Sequence, residues 1–414
     1  MPFSPPVFEV YQGDMREVLA TFAQDSVDSF VCDPPYGLSF MSKGWDRGVP
    51  GVEFWREALR VAKPGAHLLA FGGTRTHHRL MCAIEDAGWE IRDCIMWVYG
   101  SGFPKSHNIG KAMDKAAGAE REVVGVVERP SYDGATRTTP GVSSTEGYGS
   151  IAGERFYPDT APATEAARQW QGWGTALKPA WEPIIVARKP LEGTVAKNVL
   201  KHGTGGINVD GCRIEGIPPS VPQPRLRPDG NDSGHALGSG EGRNGAMSQA
   251  AGRWPANLIH DGSDEVVGLF PQTAPARRNV VSDGRAVPFM QAGDSATGGT
   301  SGRHDPSNSH DDNGGSAARF FYCAKTSKKD RGEGNNHPTV KPTDLMRYLV
   351  KLVTPPGGTV LDPFMGSGST GKAALLEGMN FIGVDLDPEH VATATKRLSA
   401  AQSEFLTISP DSPC

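Results

Sequence analysis

No run of apolar residues in the chain comes near the roughly 20 that a membrane-spanning helix needs, and no basic stretch followed by an apolar one stands at its N-terminus. A cytoplasmic protein with no membrane partner is expected. The six cysteines (Cys32, Cys82, Cys94, Cys212, Cys323 and Cys414) never fall in a C-x-x-C spacing, which argues against a zinc site and a disulfide framework. Reduced and mostly buried thiols are the expectation. The histidines, among them His77, His78, His107 and His260, show no ligand-like spacing, so no metal is expected. Positive charge is not in excess either: a formal net charge of −5 argues mildly against a protein that coats nucleic acid by charge alone.

What the chain has in plenty is glycine and proline, 52 and 33 residues, which points to long loops. At 414 residues it exceeds the size at which single cores usually stop growing, so one elaborated domain or two are expected. The first hundred residues alternate apolar runs, "VFEVYQGD", "SVDSFVCDPPY", "HLLAFGG" and "IRDCIMWVYG", with amphipathic stretches such as "EFWREALRVAKPG" and "THHRLMCAIEDAGWE". Each run closes on Gly, Pro or Asp, the pattern of βαβ units on a parallel sheet. Gly, Ser, Thr and Pro dominate around 130–165, 217–250 and 272–317. Segments so poor in apolar residues cannot offset their ordering entropy and are expected to be mobile loops. From 338 the α/β pattern resumes: helix "PTDLMRYLVKLVTPPG", strand "TVLDPF", turn "MGSGST", helix "TGKAALLEGM", strand "NFIGVDLD" and helix "PEHVATATKRLSAA".

Gly366, Gly368 and Gly371 spell G-x-G-x-x-G between a strand and a helix, and Asp385 ends the next strand nineteen residues after Gly366. Glycines let the backbone approach a nucleoside cofactor, and an acid at that distance accepts hydrogen bonds from ribose hydroxyls. A structural glycine turn is the plainer reading; strand, turn, helix and acid in this order outweigh it. Both a nicotinamide dinucleotide and S-adenosylmethionine fit the pattern. Only 29 residues follow Asp385, enough for one helix but not for the rest of a nucleotide-binding sheet. The N-terminal α/β segment is the only supplier of the remaining strands, so one sheet built from both chain ends, a circularly permuted arrangement, is expected. It brings the strand ends before Asp33 and Gly366 to one edge, where open α/β sheets bind ligands.

At that edge "DPPYG" (33–37) acquires a task. An exocyclic amine on a nucleobase is a poor nucleophile, because its lone pair is delocalised into the ring. Two acceptors aimed at its two hydrogens would localise the pair and stabilise positive charge developing on nitrogen. Asp33 offers a carboxylate and Pro34 a backbone carbonyl, while Pro35 restricts Pro34 to extended geometry. Tyr36 offers a flat face on which a flipped base can stack, and Gly37 leaves room for it. For Asp-Pro alone a strand-ending turn is the better reading; Tyr36 and the neighbouring cofactor turn reverse that preference. Further on, "RFFYCAKTSKKDR" (319–331) sets five Lys or Arg against one Asp. A solvated basic turn is the plainer reading of this stretch alone; basic side chains beside Phe320, Phe321 and Tyr322 also suit phosphate contact and base stacking, which makes Arg319, Lys325, Lys328 and Lys329 candidate nucleic-acid contacts.

These residues resemble the amino-methyltransferases of DNA, which methylate adenine N6 or cytosine N4 with S-adenosylmethionine. "DPPY" (33–36) resembles the family's catalytic motif, "DPFMGSGST" (362–370) its cofactor loop and "HPTVKP" (337–342) the segment before that loop; their order resembles the β group. Similar stretches cover roughly 8–110, 178–215, 253–271 and 319–395, and "WEPIIVARKP" and "RWPANLIHDGS" are similar to phage and prophage members. The resemblance implies an α/β, circularly permuted Rossmann-like methyltransferase fold with a loop-rich inserted target-recognition region. Its N-terminal catalytic part would span 1–190 with a loop at about 130–165, the target-recognition region 191–318 and the cofactor part 319–414. It implies that Asp33, Pro34 and Tyr36, with Pro35, hold the target base. Asp362, Phe364, Gly366 and Gly368 would line the cofactor, Asp385 would bind its ribose and Asp14 would reach its adenine. His337, Thr339 and Lys341 would sit near its methionine end. Asp at position 33 is commoner for adenine than for cytosine, so adenine N6 is the expected target, with cytosine N4 the alternative. Double-stranded DNA is the implied partner; family analogy allows a homodimer, and a restriction endonuclease partner stays open. A nicotinamide oxidoreductase would leave "DPPY" without a task, and a non-catalytic DNA-binding protein would not need the reactive positions filled.

Overall fold

The computed structural model describes residues 5–38, 48–102, 104, 106–128, 156–214, 252–273, 315–324, 330 and 340–408. In chain order the strands are β1 (Phe8–Gln12), β2 (Val27–Cys32), β3 (Ala62–Phe71), β4 (Glu90–Val98), β5 (Val123–Glu128), β6 (Phe156–Thr160), β7 (Trp181–Arg188), β8 (Leu258–His260), β9 (Gln272–Thr273), β10 (Gly315–Ser316), β11 (Tyr322–Cys323), β12 (Thr359–Asp362) and β13 (Asn380–Asp385). The α-helices are α1 (Met15–Ala20), α2 (Val52–Val61), α3 (His77–Asp86), α4 (Ile109–Ala116), α5 (Glu165–Gln169), α6 (Val195–His202), α7 (Asp264–Val267), α8 (Thr343–Val353), α9 (Ser369–Leu376) and α10 (Pro388–Ile408). Among the described residues no helix is long and apolar enough to cross a membrane.

The chain divides into two compact units, Met1–Gly100 with Ala180–Cys414, and Ser101–Pro179. The first carries a nine-stranded sheet in the order β1-β13-β12-β2-β3-β7-β4-β8-β11. The pairs β1 with β13, β13 with β12, β12 with β2 and β2 with β3 are parallel; β7 alone runs against its neighbours β3 and β4. Both chain ends therefore build one sheet, as the count of residues after Asp385 requires. β12 lies directly on β2 with Val360 opposite Ser29, and the two chain segments continue from there in opposite directions across the sheet. That is a topological switch point, the place where open α/β sheets take ligands.

Burial explains why these segments fold so. Every residue of β2 is buried, as a central parallel strand covered on both faces requires. Its side chains alternate between two cores. Val31 packs with α8, α9 and α10 residues such as Leu349, Ala373 and Leu398. Phe30 and Cys32 pack with Leu19 of α1, Trp55 of α2 and Leu80 of α3. Helix α2 buries Trp55, Ala58 and Val61, an i, i+3, i+6 stripe facing that second core.

Three expectations change. The N-terminal part expected to span 1–190 is interrupted, since 101–179 is a unit of its own with the β5–β6 hairpin, α4 and α5. Inside it, buried Asp114 accepts hydrogen bonds from Thr164 and from Arg121, which a polar group without water needs. Residues 156–165, expected in a loop, form β6 and enter α5; the rest of the 130–165 loop lies outside the described residues, as does 217–250. Of 272–317 only the ends are described, zipped as the β9–β10 ladder. The middle region, expected to be loop-rich, also adds a strand to the main sheet: β8 lies beside β4 and carries β11 after it. Of the cysteines, Cys32 and Cys212 are buried, Cys94 and Cys323 half-buried and Cys82 exposed.

Candidate active site

A cavity of about 490 Å³ opens at the switch point, lined by Asp14, Asp33, Tyr36, Phe364, Gly366 and Asp385 among others. Its size suits a nucleoside ligand. It gathers the loops that follow β1, β2, β12 and β13, so four separate sequence segments meet in one place.

The cofactor side is built from backbone. Gly366 and Gly368 adopt φ of 54° and 79°, left-handed values that side chains resist. A Cβ on Gly371 would lie 2.5 Å from the Phe381 ring and 2.6 Å from Leu398, so this glycine lets α9 press onto β13, the third-glycine task of such turns. The Asp385 carboxylate accepts from the amides of Gly366 (2.8 Å) and Asp387 (2.9 Å) and is paired with the His390 ring at 3.2 Å. Burial opposes its charge, but His390 and those amides hold its carboxyl below the usual range. Asp14 caps α1 through the Arg16 amide and is gripped by the Arg16 guanidinium at 2.6 Å, which keeps its carboxyl low. Arg16 in turn lies 4.4 Å over Phe54, and Phe54 and Trp55 face Phe364 at 6.3 and 5.9 Å. An aromatic wall with an acid beside it fits a nucleoside's base and ribose.

Two residues expected to line a cofactor also shape the turn itself. Gly368 is not among the cavity residues; it caps α9, and a Cβ there would come within 3.0 Å of Ala394. Asp362 reaches the cavity wall, but its carboxylate accepts from the Thr370 hydroxyl (2.6 Å) and the Phe364 amide (3.0 Å). Burial pushes its pKa up to about 7 despite those two hydrogen bonds. Both residues shape the turn.

On the other side, Asp33, Pro34, Pro35 and Tyr36 all line the cavity. The Tyr36 hydroxyl lies 2.8 Å from Asp33 Oδ1 and 3.0 Å from Glu182 Oε2. Burial, then the negative charges of Asp33 and Glu182, push that phenol well up. Thr76 donates to the Tyr36 carbonyl at 2.6 Å, and Gly73 leaves no more than room for the ring, since a Cβ there would sit 3.2 Å from it. The aromatic is thus fixed from three directions.

Lys341, expected near the methionine end of a cofactor, lines the same cavity beside Asp33. Its ammonium is 2.7 Å from Asp33 Oδ2 and 3.2 Å from Glu182 Oε2, with 8% of the residue exposed. Burial alone would lower its pKa; Asp33 and Glu182 more than reverse this and raise it. Glu182 is the group the sequence reading missed. Its signal was the acid in "WEPIIVARKP", standing where an otherwise apolar strand enters the sheet. Of the remaining expected residues, His337, Thr339, Lys325, Lys328 and Lys329 lie outside the described residues. Arg319 is not a cavity residue: it donates to the carbonyls of Gly315 and Ser316 and lies 4.3 Å over Phe320. Among the described residues no group of three or more His, Cys, Asp or Glu is placed to hold a metal ion.

The family model described as DNA methylase, for N6- and N4-acting methyltransferases, matches residues 27–206 and 252–396. The chain belongs to this family. Among curated relatives, the type II methyltransferase M2.DpnII of Streptococcus pneumoniae is 38% identical over 88 residues, 21% of this chain and 33% of that protein. The DNA adenine methyltransferase YhdJ of Escherichia coli is 41% identical over 69 residues, 17% of this chain and 24% of that protein. The matches thus span about a third and a quarter of those relatives. Among solved structures, M1.HpyAVI in complex with SAM is 14% identical with a TM-score of 0.39, covering 95% of this chain and 99% of that one. The two matched segments bracket 207–251, most of which lies outside the described residues.

Proposed function

We propose that this DNA methylase transfers a methyl group from S-adenosylmethionine to the exocyclic N6 of an adenine flipped out of duplex DNA. One observation carries the reading: Asp33 and the glycine turn after β12 line a single cavity at the switch point of the sheet. Phe54, Phe364, Asp14 and Asp385 would hold the cofactor's nucleoside end, and its bound form supplies a methyl group on a positively charged sulfur. The protein's task is then to present the amine. Asp33 accepts one amine hydrogen and the Pro34 carbonyl the other, which localises the lone pair and stabilises the positive charge that grows on nitrogen. Tyr36, fixed by Thr76 and Gly73, supplies a rigid stacking face that offsets part of the few kcal/mol spent in unstacking the base. Asp rather than Ser before Pro-Pro-Tyr supports adenine over cytosine, and the name of the Escherichia coli relative points the same way. The test is direct. Duplex DNA incubated with the protein and S-adenosylmethionine is digested to nucleosides and weighed: N6-methyladenine is expected, N4-methylcytosine would move the target to cytosine, and no methylated nucleoside would refute the activity.

A further inference from the structure

Glu182 stands on β7, the strand that runs against the rest of the sheet, yet its carboxylate reaches the group of side chains around Asp33. One oxygen lies 3.0 Å from the Tyr36 hydroxyl and 3.2 Å from the Lys341 ammonium. The other is 3.4 Å from the Tyr99 hydroxyl. Lys341 in turn contacts Asp33 at 2.7 Å and Tyr36 at 3.2 Å, with the Phe71 ring 4.7 Å from its nitrogen. The cluster therefore holds one cation against two carboxylates.

The arithmetic of charge gives this a consequence. Alone, Asp33 and Lys341 would form a neutral pair, and a carboxylate neutralised by its own lysine is a weak partner for an amine that is becoming positive. With Glu182 present the same ammonium serves two acids, and the cluster keeps one net negative charge beside the cavity. We propose that Glu182 is a positioning residue: by sharing Lys341 and Tyr36 with Asp33 it keeps negative charge on Asp33 for the target amine. Lys341 then sets the orientation of the Asp33 carboxylate by holding one oxygen, while Glu182 prevents that hold from cancelling its charge. The low local dielectric around a nearly buried ammonium makes such sharing count. This inference rests on the methyl-transfer reading above.

Single-turnover methyl transfer to duplex DNA, with both substrates saturating, tests it in the full chain. Glu182→Gln keeps the side chain's shape and removes its charge; the rate should fall about tenfold or more, while the dissociation constants for S-adenosylmethionine and DNA stay within roughly twofold. Glu182→Asp should retain more of the rate than Glu182→Gln. The sharpest arm is the double variant Glu182→Gln, Lys341→Met, in which Asp33 again carries one uncompensated negative charge. It should be faster than Glu182→Gln alone by about threefold or more, whereas a purely structural role for Glu182 makes it equal or slower. A Glu182→Gln rate within twofold of wild type, or a double variant no faster than the single one, overturns the proposal. If Glu182→Gln fails to fold, by near-ultraviolet circular dichroism, the double variant decides alone: activity within about tenfold of wild type supports the proposal and its loss refutes it. A wild-type protein that binds both substrates but transfers no methyl group refutes the functional reading itself, a result separate from any effect of Glu182.

Discussion

The two sides of the cavity are built on opposite plans. On the cofactor side the glycine turn, from Asp362 to Asp385, is one unbroken stretch of chain whose shape comes from glycine backbone and from hydrogen bonds within about twenty residues, such as Gly366 to Asp385, with Asp14 and Phe54 added from the N-terminal segment. The Asp33 side is assembled across the chain: Tyr36 to Glu182 spans 146 residues and Lys341 to Asp33 spans 308. The first is a local device that needs only its own strand, turn and helix. The second exists only once the whole sheet has closed, because the lysine and the second acid reach Asp33 and Tyr36 from segments far along the chain.

Substitutions on the two sides should therefore separate binding from transfer. The largest effect is expected for Asp33→Ala. Methyl transfer should fall by about 10²–10⁴-fold, the scale of a lost preorganised group at developing charge, with S-adenosylmethionine binding by calorimetry unchanged. Retained turnover would remove Asp33 from the centre of the chemistry. Next comes Asp385→Ala, which should weaken cofactor binding by about 10–100-fold, the worth of a charge-assisted hydrogen bond, and raise the KM for cofactor more than it lowers kcat. If both variants lose binding and transfer together, the contrast between the two sides is wrong.

Gly371→Ala sharpens the same contrast through packing. Its methyl group would press on Phe381 and Leu398, and overpacking of this kind costs about 1–3 kcal/mol. Thermal unfolding should come several degrees earlier, with a weaker response of Tm to added cofactor. The smallest effect is a pH dependence. Asp362 has a folded-state pKa raised to about 7 from 3.8. The folded state therefore holds its proton where the unfolded chain has lost it. Its contribution is fully present below about pH 4 and is lost as pH rises through about 7. Asp362→Asn should flatten that part of the urea stability profile; an identical slope in both proteins would mean that Asp362 is ionised in the fold.

How much could be read in advance follows from the same contrast. Gly366, Gly371 and Asp385 were legible because their spacing along one strand-turn-helix-strand segment is itself the geometry. The permuted sheet was legible because a nucleotide-binding sheet needs more strands than the residues after Asp385 can provide. Asp33 and Tyr36 announced themselves as polar residues ending a fully buried strand. Glu182 did not, since an acid at the entry of a strand is ordinarily a solvated one. Lys341 was legible as a cation near the cofactor turn, but its two carboxylate partners were not, because Asp33 and Glu182 meet it only across the folded chain. Gly368 has a second task that its spacing does not show: its left-handed φ caps α9. The 101–179 unit escaped notice because its boundaries fall in polar turns no different in composition from loops.

The neighbour of β2 also carries a cost in time. Thr359, at the start of β12, donates its amide to Asp28 in β2 across 331 residues of chain. On a ribosome adding about 5–20 residues per second, β2 emerges on the order of 15–65 s before the strand that covers its edge. During that interval a strand that ends fully buried and the acid at its tip are synthesised but unfinished. Nascent chains of this protein should depend on chaperone protection in proportion to that delay, and no fragment released early should carry any part of the activity.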